Sequence, residues 1–225
     1  MNRRQLLRQL AAAGLFSAGG AMGFLQRALA AGANPVPPGL HKLKGAVTVN
    51  GQPAREGQLI LPGDTVATPP DGEAIYVIGD NAFLQRGGSQ VSFGTQLGKG
   101  AADFMRVLSG RILSVFGRGD KTLRFATATI GIRGTACYIE EGVKAETYFC
   151  LCYGSALVTP TAAPHEAETI TTSHHDHPLW ISDDMKMPSM MVTAPVVNHT
   201  DIELEMLENL VGRWPPFHGK VDYHY

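Results

Sequence analysis

Two cysteines stand two residues apart, Cys150 and Cys152, inside the apolar run Thr147-Tyr148-Phe149-Cys150-Leu151-Cys152-Tyr153. Successive side chains of a β-strand point to opposite faces, so both thiols belong to one face, with Cα atoms about 6.5 to 7 Å apart. That spacing disfavours a disulfide between them and suits two thiolates closing on one soft metal ion. Imidazoles that would complete such a site follow in SHHDHPLW, where His174, His175, Asp176 and His177 crowd a polar loop, with His165 and His199 nearby in sequence. Thiolate and imidazole together select zinc, copper or iron over calcium and magnesium, which take oxygen ligands. The expected ligands are Cys150, Cys152, His174, His175 and His177.

The same residues admit other readings. Cys137 lies on the strand before Glu141-Gly142 and would cross-link to Cys150 or Cys152 if the hairpin register set them opposite. A turn centred on Gly142-Val143 instead brings Cys137 nearer Glu146 or Thr147. Buried thiols also pack as small apolar groups, and tandem histidines on a loop can simply face water. A metal- or redox-dependent enzyme rests on these residues alone, because the chain has no Ser/His/Asp order, Cys-x-x-Cys or metalloprotease helix motif to support it. The expected class is a non-catalytic binding or scaffold protein. The alternative is a metal-free module that binds another protein of the cell envelope.

The segments around these residues read as strands. From Leu43 onward, short apolar alternations are punctuated by Gly, Asn, Asp and Pro: GAVTVNGQP, QLILPGDTVATPPDG, EAIYVIGDN, QVSF, RVLSGRILSVFG and TLRFATATIGIRGTACYIEEG. Asn50-Gly51 predicts a two-residue hairpin. Between 43 and 160 only Ala101 to Leu108 offers even a weak helical period. The clearest helix comes later, from Thr200 to Gly212. There Thr200 and Glu203 form a capping box, and Ile202, Met206, Leu207, Leu210 and Val211 make one apolar face.

Four consecutive pieces of this β region resemble the FecR domain, the periplasmic domain named after the ferric-citrate regulator. They are KGAVTVNGQPAREGQLILPGDTVAT, EAIYVIGDN, VLSGRILSVFG and TLRFATATIGIRGTACYIE, in that order within the stretch Leu43 to Val158 that the resemblance covers. The last holds the family's Gly-x-Arg-Gly-Thr element as Gly131, Arg133, Gly134 and Thr135. The resemblance implies a mainly β roll, sandwich or solenoid-like stack of short strands, an iron-regulation-like setting and a protein partner in the envelope. Arg133 between two glycines reads as an arginine tying down a turn. The family usually has aliphatic alternation where this chain places Cys150 and Cys152.

Residues 1–30 read as a twin-arginine export signal: Arg3-Arg4, a mildly apolar helical run, and Ala28-Leu29-Ala30 as the cleavage site. Well-known FecR proteins carry a cytoplasmic anti-sigma segment and a membrane span before the domain, whereas here an export signal precedes it. The expected location is the periplasm, with no transmembrane segment in the mature chain. Removing the signal takes four arginines and no acid, leaving 15 basic against 20 acidic side chains. That balance argues against nucleic acid as a partner. The remaining organisation reads as a Pro/Gly linker at 31–42, the β domain at 43–160, a His/Met-rich extended strap at 161–199 and a C-terminal helix with an aromatic tail at 200–225. In that tail, Trp214-Pro215-Pro216-Phe217 is expected to dock on the β domain rather than offer a partner surface.

Overall fold

The computed structural model describes residues 35–94, 103–143 and 146–219. The signal residues Arg3, Arg4, Ala28 and Ala30, the start of the Ala101–Leu108 stretch and the last six residues lie outside the described residues. Period-2 alternation does produce strands. Among the described residues, fourteen of them join one mainly antiparallel sheet, with one helix packed on it.

In chain order the strands are β1 (Gly39–Lys44), β2 (Thr48–Val49), β3 (Gln52–Pro53), β4 (Thr65–Ala67), β5 (Glu73–Ile78), β6 (Asn81–Gln85) and β7 (Gln90–Gly94). They continue with β8 (Phe104–Val115), β9 (Asp120–Arg124), β10 (Ala128–Val143), β11 (Glu146–Pro160), β12 (Glu168–Thr172), β13 (Leu179–Ser182) and β14 (Met191–Thr193). The helix is α1 (Asp201–Leu210). The main path of the sheet runs β14-β13-β11-β10-β9-β8-β7-β4-β2-β3. The β2–β3 reversal has Asn50 at φ 52° and Gly51 at φ 75°, the two left-handed residues that a type I′ turn requires.

Three stretches differ from the sequence reading. β1 begins within the expected linker, because Leu40 is fully buried and Gly39 pairs with Val77 of β5; the preceding prolines masked it. Phe104 onward is a strand and not a helix, since alternate residues Met105 and Val107 are buried and Arg106 and Leu108 are exposed. The expected strap supplies β12, β13 and β14, of which β12 and β13 pair with β11. The helix forms as read, with the Thr200–Glu203 capping box present, and Leu204, Leu207 and Leu210 at most 1 % exposed. Each such leucine contributes about 1.5 to 3 kcal/mol by leaving water.

The two faces of the sheet feed two cores. One gathers Leu40, Phe83, Phe93, Ile112, Cys137 and Leu151. Its members come from strands all along the sheet, so the sheet curls around it. The other gathers Val77, Tyr138, Tyr148, Cys150 and Cys152 under Leu204 and Leu207 of α1.

The Gly-x-Arg-Gly-Thr element is the bend that makes this possible. Gly134 has φ 57°, and the β10 register slips between Arg133 and Ala136, as at a β-bulge. Before the slip, residues 129–133 pair with β9; after it, residues 136–141 pair with β8. Arg133 ties no turn carbonyl in the described hydrogen bonds. It makes an exposed 2.7 Å ion pair with Asp120 across the ladder. Gly154 is packed against the same bend, where a Cβ would come within 2.5 Å of Thr135 Cγ2.

Candidate metal centre

Strand alternation carries through to the thiols. Cys150 and Cys152 are both fully buried on the face covered by α1, and Tyr138 lies opposite Cys150 in the ladder. Cys137 pairs with Leu151 and belongs to the opposite core. The sheet itself therefore separates Cys137 from the other two, and all three cysteines are free. The register also differs from the one expected for a turn at Gly142-Val143. Slips along β10 place Cys137 opposite Leu151 and not near Glu146 or Thr147.

The histidine loop between β12 and β13 is hung on the thiol strand. Asp176 caps it, its carboxylate accepting from Ser173 N (2.9 Å), Ser173 Oγ (3.0 Å) and His174 N (3.3 Å). The Ser173 backbone bond leads in holding the Asp176 carboxyl below its usual range. His175 adopts φ 51°, and its N–H donates to the Cys152 carbonyl at 3.0 Å. This delivers the His175 ring beside the sulfurs, with Nδ1 3.3 Å from Cys150 Sγ.

A third segment completes the group. Tyr148 donates its hydroxyl to the Pro195 carbonyl and accepts from Val197 N, and Asn198 turns the chain with φ 58° while donating to Glu140. Asn tolerates this conformation better than most residues. The next residue, His199, stacks on Tyr138 with ring centroids 4.6 Å apart and sets its Nε2 3.0 Å from His175 Nδ1. Cys150, Cys152, His175 and His199 then place one ligand atom each within 4.8 Å of one another, and all four residues are buried. These described residues form a cluster that could bind a metal ion.

The outer atoms of both imidazoles specify what the inner atoms present. His199 Nδ1 faces the Val197 carbonyl at 2.7 Å, and His175 Nε2 faces Asp201 Oδ1 at 3.3 Å. Both partners are acceptors only, so each outer nitrogen carries the hydrogen and, in the neutral rings, the inner nitrogens are lone pairs. Two lone pairs at 3.0 Å beside a thiol demand a positive charge between them. In the absence of an ion, a proton fills that role: burial opposes charge on His175, but Asp201 and Cys150 outweigh it and raise the ring to about 9. The Cys150 thiol, stabilised as thiolate first by a hydrogen bond from Cys152 and then by one from the protonated His175 ring against the cost of burial, falls to about 3. Burial and the neighbouring Cys150 thiolate push Cys152 up.

A tetrahedral zinc ion sets two thiolates about 3.8 Å apart and two imidazole nitrogens about 3.3 Å apart. The observed cluster is of that size and holds donors of the right kind. Of the five ligands expected from sequence, it contains Cys150, Cys152 and His175. His174 turns to Asp201, with Nε2 2.9 Å from both carboxylate oxygens. His177 is half-buried and outside both residue groups that could hold an ion, because the chain leaves the loop through His177-Pro178 into β13. His165 is exposed on a one-turn 3₁₀ helix. His199 takes the fourth place. The signal for it was Asn198-His199-Thr200-Asp201, a left-handed-tolerant residue and a histidine set immediately before the helix cap. Phe217 does dock, edge-on to His174 at 4.6 Å, while Trp214 is 49 % exposed and stacks on His218.

Among the described residues no helix is long and apolar enough to cross a membrane. No family model matches the chain, and no curated protein matches it. Two crystal structures of a protein named as a candidate anti-sigma factor from Parabacteroides distasonis, at 2.50 and 1.65 Å, resemble part of it. Each does so at 10 % identity and a TM-score of 0.44 over 54 % of this chain. The chain spans about half the length of these solved structures, 55 % and 56 % of them.

Proposed function

We propose that this chain is an exported, non-catalytic β module that holds one divalent transition-metal ion through Cys150, Cys152, His175 and His199, zinc fitting ahead of copper or iron. The observation that carries this reading is the approach of four donor atoms from three chain segments to within 4.8 Å of one another at a buried point. Tetrahedral S₂N₂ donors are the set zinc prefers. Charge selects a divalent ion: two thiolates cancel 2+, whereas monovalent copper leaves a net negative charge, and unbalanced buried charge costs several kcal/mol.

All four positions are filled by protein, so no position remains for a reacting water, as in structural rather than catalytic zinc sites. The ion's task is to join β11, the histidine loop and the segment leading into α1. The Arg3-Arg4 signal supports delivery to the periplasm of a chain already folded around its ion. The FecR-like pieces from Leu43 to Val158 support a scaffold that binds another envelope protein.

Elemental analysis of the full chain purified from the periplasmic fraction tests the metal reading, with a Cys150→Ser/Cys152→Ser variant beside it. One ion per chain in the wild type and none in the variant is the expected result. A wild-type chain free of stoichiometric metal removes the reading.

A further inference from the structure

The second residue group that could hold an ion, His174, His175 and Asp201, shares His175 with the first. It meets that ring on its other edge. Asp201 Oδ1 lies 3.3 Å from His175 Nε2, while the thiol and His199 lie against Nδ1. A carboxylate on the Nε2 edge cannot reach an ion held at Nδ1. It can only act through the ring.

We infer that Asp201 is a positioning residue of the metal centre, an outer-sphere acceptor that fixes His175 in the tautomer and orientation that aim Nδ1 at the thiols, and that His174 holds Asp201 in place for that task. This rests on Cys150, Cys152, His175 and His199 being the ligands.

Three observations support it. His174 Nε2 sits 2.9 Å from both oxygens of Asp201, which prevents the carboxylate from turning away. The two imidazoles are 5 % and 1 % exposed and the carboxylate 23 %, so the chain of contacts runs largely out of water and is weakly screened. Asp201 is also the first residue of α1, directly after its Thr200 cap, where the helix dipole favours a negative charge. A carboxylate accepting from the far N–H makes a ligating imidazole a stronger donor, and loss of such a partner weakens metal binding by about 10- to 100-fold.

The test uses the full chain stripped of metal and titrated with cobalt(II) and zinc against a competing chelator, comparing the wild type with Asp201→Asn and His174→Gln. Asp201→Asn is expected to bind one ion with an unchanged thiolate-to-cobalt absorption band, showing the same ligands, but about 10- to 100-fold more weakly. Nitrogen NMR of His175 is expected to show one fixed tautomer in the wild type and exchange between tautomers in Asp201→Asn. His174→Gln leaves the helix-terminal charge in place and is expected to show a smaller loss of the same kind, which separates positioning from simple destabilisation of α1.

Equal affinity for wild type and Asp201→Asn, within about twofold, overturns the inference. So does a stoichiometry that falls from two ions to one, since Asp201 would then be a ligand of a second ion. Absence of ion binding by the wild type overturns both this inference and the ligand assignment beneath it.

Discussion

Cys137 and Cys150 occupy neighbouring strands of one sheet, are equally free of solvent and differ in everything that matters chemically. Cys137 looks into the curled core with Leu151, Ile139 and Phe149, where burial pushes its thiol well up and it acts as a small apolar group. Cys150 looks out of the other face onto Cys152, two imidazoles and the segment entering α1, and its thiol is drawn down to about 3. Burial is therefore shared by the inert and the competent thiol. What separates them is convergence of chain segments: one face of the sheet is met by aliphatic side chains, the other by two histidine-bearing loops.

The largest test of that contrast is removal of the ion proposed for Cys150, Cys152, His175 and His199. Stripping the chain with a chelator is expected to lower its thermal midpoint by about 20 to 40 °C, given a structural-zinc binding energy on the order of 10 kcal/mol and about 2 to 4 °C per kcal/mol for a chain of this size. Protease sensitivity is expected to rise first within 194–217. A Cys137→Ser chain should show the same chelator response as wild type, and failure of that match would erase the distinction between the faces.

The ion-free chain provides a second, pH-dependent test, in which the two shifted groups act with opposite signs. The thiolate of Cys150 contributes stability that is complete above its ordinary value of 9.0 and is lost as pH falls toward about 3. The imidazolium of His175 contributes stability that is complete below 6.5 and is lost as pH rises toward about 9. Urea unfolding of stripped protein is expected to show stability falling as pH drops from 6.5 toward 3, and Cys150→Ser should flatten that slope.

Three substitutions away from the imidazoles have smaller effects. Cys137→Ser puts a hydroxyl among aliphatic side chains and is expected to cost about 1 to 3 kcal/mol with metal stoichiometry unchanged. Gly154→Ala meets Thr135 at 2.5 Å on a backbone with φ 99°, and a similar loss of about 1 to 3 kcal/mol is expected in the same unfolding assay. Arg133→Ala removes an ion pair whose side chains are 77 % and 67 % exposed and screened by water, and the urea midpoint is expected to stay where it is in the wild type.

Local rules made part of this readable beforehand. Cys150 and Cys152 share a face because a strand has period two, and Thr200 with Glu203 caps α1 because both groups lie within one turn. Asn50-Gly51 turned as its chemistry requires. What failed to show depends on distant partners. β13, four residues between Pro178 and a Met-rich stretch, is a strand because Tyr148 and Phe149 of β11 offer it an edge. His199 joins the thiols, and His177 does not, because of where Asn198 and His175 reverse the chain, and neither reversal follows from spacing.

The four donors of the proposed site are distributed along the chain in a way that bears on how the protein is made. Of the four, Cys150 and Cys152 leave the ribosome first, His175 later and His199 last. A nascent chain that stops short of residue 199 owns at most three of the four donors, so tight capture would wait for His199 to emerge. On the proposed reading, ion uptake follows the pairing of β10 with β11 rather than guiding it, and truncations that end before residue 199 should yield a sheet with an open claw.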